Sequence, residues 1–111
     1  IAAIESDASG YVPRGFGFSG SEEQYNKIQD WLKYFDKNTI SYFSKGGGGA
    51  DIGPLHRQTG TPMFGLSIDG QKYFEMHHTA KDVFELVHAR ELELGTASMA
   101  SLVYLIDKYG L

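Results

Sequence analysis

The stretch "TASMASLVYLI", residues 96–106, is apolar or small on nearly every side of a helix. A helix of that kind is deeply buried rather than laid on a surface as an amphipath. It is the middle of a longer predicted helix, Ala89 to Tyr109. Glu91 and Glu93 lie in the first turns and Lys108 in the last, the charge order that a helix dipole favours. Gly95, Ala97, Ser98, Ala100 and Ser101 would let this helix pack closely on a sheet. The chain must therefore supply a sheet and further neighbours, or associate to obtain them.

Three segments read as strands. "IAAIES" is short and β-compatible, "TISYFS" (Thr39 to Ser44) is rich in β-branched and aromatic residues, and "TPMFGLSI" follows at 61–68. Between the first two, "DASGYVPRGFGFSGS" reads as loop, punctuated by glycine and proline. A helix then starts at Ser21, where Gln24 completes a capping box and Glu22 and Glu23 suit the dipole. Tyr25, Ile28, Trp31, Leu32 and Phe35 give it one apolar face, of core or interface type. Pro54 opens a short helix to Thr59, Asp69–Gly70 marks a turn, and Lys81 to Val87 suits one helical turn. The order β-α-β-α-β-α indicates an α/β layered fold in one domain, residues 1–111. Three strands make a narrow sheet, and parallel sheets need both faces covered. The expectation is a piece of a larger sheet. The opening on Ile1, with a strand already under way, suggests that something precedes it.

Composition narrows the partners. The 111 residues carry a formal net charge of −4 with acids and bases interspersed, so no basic stripe points to nucleic acid. No apolar run approaches the roughly 18 residues that cross a bilayer, so no membrane partner is expected. The chain has no cysteine, so a metal would be held by His, Asp or Glu.

Those residue types follow the strands. Asp7 ends the first, Asp51 follows the second after the glycines, and His77 and His78 follow the third. Ligands of open α/β sheets bind outside the carboxyl ends of strands, so one edge could gather all four. Each also has a plain reading. Asp7 could form a strand-end turn, Asp51 could cap the Pro54 helix, and either histidine could be a loop residue. His56 and His88 read as surface residues. The "GGGG" run at 46–49 is a flexible or closely approached loop and could form a mobile wall of a cleft. It lacks the Lys-Ser or Lys-Thr of a phosphate loop. Arg14 and Phe16 could touch substrate, or belong to an ordinary surface loop.

Three segments taken together, "AIESDASGYVPRGFGFSG", "GGGGADIGPLHRQTGTPMFGLSIDGQKYFEMHHTAKD" and "RELELGTASMASLVYLI", resemble the C-terminal part of M28-family zinc exopeptidases. The likeness is strongest to the plasma glutamate carboxypeptidase-like branch. The resemblance implies part of a three-layer α/β/α sandwich with a mostly parallel or mixed sheet, truncated at the N-terminal side. It implies a pair of zinc ions that activate a water for hydrolysis of a terminal peptide bond. The family's Glu-Ser-Asp motif falls on Glu5-Ser6-Asp7, which makes Asp7 a zinc ligand. The family's His-Thr/Ser motif makes His78 the other, and leaves His77, Glu5 and Asp51 beside the site or toward substrate. The family's remaining histidine, bridging aspartate and Glu-Glu pair all precede the Glu-Ser-Asp strand, so the general base lies outside this chain. On its own the polypeptide is then expected to be inactive and not to retain paired zinc. Asp82-Val83 and His88-Ala89 depart from the family's usual Asp-Thr and Asp-Pro. The resemblance favours a secreted or periplasmic protein that acts on peptides. Two alternatives stand beside it. One is a non-catalytic association module of the same fold, with a homo-oligomer among its partners. The other is a glutaminyl-cyclase-like acyl transferase.

Overall fold

The computed structural model describes residues 1–7, 10–68 and 88–111. Its strands are β1 (Ala3–Glu5), β2 (Pro13–Ser19), β3 (Tyr42–Lys45) and β4 (Met63–Ile68). They form one sheet in the order β1-β4-β2-β3. β1 runs parallel to β4 and β2 parallel to β3, while β2 and β4 are antiparallel. With its helices this is a mixed α/β fold, as expected.

The segment read as loop between the first two strands contains β2, a central strand of the sheet. Its glycines hid it, because glycine weakens a strand. Yet Phe16 and Phe18 alternate with Gly15 and Gly17 at the period of a strand. The two rings face one side, where Phe16, Phe18, Phe43 and Phe64 form the core with Ile28, Trp31, Leu102 and Leu105. Phe18 and Phe64 rings lie 4.9 Å apart, and Phe16 and Phe43 rings stack at 5.9 Å. Phe16 is fully buried, so it cannot touch substrate. Trp31 belongs to the core.

Ser21 caps helix α1 (Glu22–Gln29), with both bonds of the capping box formed. The helix is shorter than the apolar spacing suggests. It tightens into a 3-10 turn, Asp30–Tyr34, that carries Trp31 into the core. Helix α2 spans Gly53–Thr59, with Pro54 in its first turn.

Helix α3 is Ala89–Tyr109, with the expected bounds. Its burial differs from expectation. Gly95, Ser98, Leu102 and Leu105 form a single buried stripe at helical spacing. Val103 and Tyr104 on the other side are 53% and 59% exposed. The elements described here cover one face of this helix, which follows from the narrowness of the sheet beneath it.

Candidate functional site

The sheet has two unlike faces. Opposite the phenylalanines, Glu5 of β1, Gly65 of β4, Gly17 of β2 and Ser44 of β3 are paired in register, one row across four strands. Three of these side chains are hydrogen or a small hydroxyl. Another stretch of main chain can therefore lie directly on the row.

The glycine run does so. Gly46 donates its N–H to the Phe18 carbonyl at 2.8 Å, which continues from the end of β3. A Cβ on Gly17 would lie 2.8 Å from both the Gly46 oxygen and the Gly47 Cα. A Cβ on Gly65 would lie 2.8 Å from the Gly48 nitrogen and oxygen. A Cβ on Gly49 would strike the Glu5 carboxylate. Residues 46–49 thus cross from β2 over β4 to β1. Gly46 and Gly48 take φ of 80° and 92°, a region that L side chains avoid. Of the two expectations for this run, close approach describes its geometry.

Asp51 reaches the β1 edge by this crossing. The expectation placed it past a strand end shared with Asp7. β3 runs antiparallel to β1 and β4, however, so its carboxyl end lies at the opposite edge. After the crossing, the backbone N–H groups of Asp51 and Ile52 both donate to Glu5 Oε2, each at 3.2 Å. Asp51 does not cap α2. Ile52 holds the cap position without a side-chain bond, and Glu5 receives the amides that precede the helix. Sequence reading missed this role of Glu5. Its signal is the alternation that turns Ile4 toward the core and Glu5 to the other face.

Asp7 follows β1 by two residues and is exposed. Ser6 Oγ, beside it, is buried with no hydrogen-bond partner among the described residues. β4 is the parallel neighbour of β1, so both strands leave the sheet at the same edge. The chain leaving β4 runs on toward His77 and His78. Both histidines, the Asp69–Gly70 turn and the Lys81–Val87 segment lie outside the described residues. His56 is half-buried, its Nδ1 2.8 Å from the Thr61 carbonyl. His88 is exposed at the cap position of α3. Arg14 donates to the Asn38 carbonyl at 3.3 Å.

Among the described residues no three His, Asp or Glu gather to hold a metal. Asp7 is an oxygen donor of the right kind, but a catalytic zinc takes three protein ligands. The described residues do not by themselves make a zinc site. An electrostatic perturbation lies elsewhere. Lys45 Nζ donates to both Glu22 oxygens at 2.9 and 2.7 Å, and this pairing raises its pKa above the ordinary 10.5.

Comparison with known proteins gives one consistent result. The chain is 27% identical over 103 residues to carboxypeptidase Q of Bos taurus, 28% to that of Homo sapiens and 24% to that of Mus musculus. No protein-family model matches the chain, and no solved structure matches it. The aligned stretch is 93% of this chain and 22% of each relative, so the chain spans about a fifth of the length of the curated relatives it matches. Along nearly all of its length, then, the chain is distantly similar in sequence to part of a peptidase.

Proposed function

We propose that this chain is part of a metal-dependent exopeptidase of the M28 type, which hydrolyses a terminal peptide bond. The observation that carries the reading is the parallel pairing of β1 with β4. It brings the strand end that bears Asp7 and the strand that leads to His77 and His78 out at one edge. An acid and an imidazole are suitable ligand types for zinc. In this reading Asp7 and His78 each bind one ion of a pair. His77, Glu5 and Asp51 stand beside that pair or toward substrate, and the remaining ligands and the general base come from sequence outside this chain. The metal pair would supply an activated water and polarise the scissile carbonyl. The names of the similar proteins favour cleavage at the carboxyl end. The family resemblance favours a secreted or periplasmic setting.

The test uses the natural gene product. Its residues before Ile1 should include a histidine, an aspartate and a Glu-Glu pair. The protein should release single residues from peptides, lose that activity to a chelator, and lose most of it in Asp7→Asn or His78→Ala. A gene product without those upstream groups, or one whose activity withstands both substitutions, overturns the reading.

A second reading, a non-catalytic association module, draws on the outer side of α3. Leu92, Val103 and Tyr104 are exposed there, and Tyr34, Tyr104, Lys108 and Tyr109 line a cleft of about 420 Å³. Sedimentation that finds only monomer removes it.

A further inference from the structure

We propose that Glu5 is a positioning residue that locks the glycine crossing onto the sheet and so fixes Asp51 at the carboxyl edge of β1. What that edge does rests on the peptidase reading above; the lock itself does not.

Three observations meet at one carboxylate. Two successive backbone amides, of Asp51 and Ile52, point at the same oxygen, Glu5 Oε2. Gly49 passes so close that a methyl group there would collide with the carboxylate. The crossing before it lies against Gly17 and Gly65, where no side chain intervenes. Residues 46–48 lie on the sheet by main-chain fit, and the bonds from Gly46 to the Phe18 carbonyl and between Gly47 and the Ser19 hydroxyl tie down only the near end. The far end needs an anchor, and Glu5 is the group that provides it. Hydrogen bonds to a charged acceptor are stronger than neutral ones, and two of them share this anchor.

The consequence concerns Asp51. Its side chain is exposed and makes no hydrogen bond among the described residues, while its backbone is held. A carboxylate on a fixed backbone, projecting near the end of the strand that leads to Asp7, is available to a ligand at that edge. Without the lock, the four glycines would let it wander.

The experiment is amide hydrogen exchange on the 111-residue chain. Glu5→Ala should speed exchange at the Asp51 and Ile52 amides about ten- to a hundredfold, with β2 and β4 amides unchanged. Glu5→Gln keeps an acceptor oxygen in place. It should retain most of the protection. Gly49→Ala, which pushes against the carboxylate from the other side, should reproduce the loss. The lock is overturned if Glu5→Ala leaves protection within about twofold of wild type. Full protection in Glu5→Met, which fills a similar space without a carboxylate acceptor, also overturns it, since Glu5 would then only fill space. None of these readings uses metal or peptide, so failure of the peptidase assignment leaves them intact, and their failure leaves that assignment standing.

Discussion

Gly17 and Gly47 meet main chain to main chain across the face of the sheet, and a Cβ on either would strike the other's backbone. Backbone held in a sheet cannot step aside as a flexible side chain can. Gly17→Ala should therefore destabilise the chain by about 1–3 kcal/mol of overpacking, offset by roughly 0.4–1 kcal/mol from the stiffer unfolded chain. A urea titration measures it, and a midpoint at or above wild type would show that the crossing is not packed as described.

Leu102 and Val103 are neighbours on α3 with opposite surroundings. Leu102 is fully buried and Val103 is 53% exposed. Leu102→Ala should cost about 2–5 kcal/mol, and Val103→Ala no more than roughly 0.5 kcal/mol. Comparable costs for the two, read by thermal or chemical unfolding, would mean that the outer side of the helix is covered after all.

Ser6 carries a buried hydroxyl without a partner among the described residues, flanked by Glu5 and Asp7. Leaving such a group unpaired costs about 1–3 kcal/mol. Ser6→Ala should leave the stability of this chain unchanged or raise it, as judged by the denaturation midpoint. A clear loss would reveal a bond to that oxygen.

The Glu22–Lys45 pair sets a pH signature. Its hydrogen bond to Glu22 raises the Lys45 pKa in the folded chain, against a smaller opposing effect of desolvation. The paired form is then favoured fully below the ordinary value of 10.5, and that contribution fades as pH rises through the higher folded value. Both side chains are well exposed, so the effect on stability is small and salt-sensitive. The titration of the Lys45 amine by NMR should have its midpoint above 10.5, and Glu22→Gln should bring it back toward that value. An unmoved midpoint would mean that the pair does not persist in solution.

Much of this architecture was legible in the chain. The Ser21–Gln24 capping box, Pro54 and the span of α3 are local signals, decided within a turn or two, and the structure carries all three. β2 was not legible as a strand. Its glycines look like loop until another backbone is known to lie on them, and that backbone is 29 to 30 residues further along the chain. The placement of Asp51 was hidden for the same reason. Strand direction depends on tertiary pairing, and β3 follows β2 rather than β4. Asp7 and His78 were named through resemblance. The topology adds the parallel strands on which that pairing depends, while His78 itself lies outside the described residues.

The glycine run has no slack. From Gly47 above β2 to Gly49 beside β1 there are two Cα steps, at most about 7.6 Å. They traverse most of two strand spacings of roughly 4.8 Å each, and the reach of the Glu5 side chain makes up the difference. The run therefore works as a ruler. Its length, as much as its composition, decides where Asp51 comes to rest. Deleting one glycine would draw that acid back over the sheet, and adding one would let it overshoot the rim.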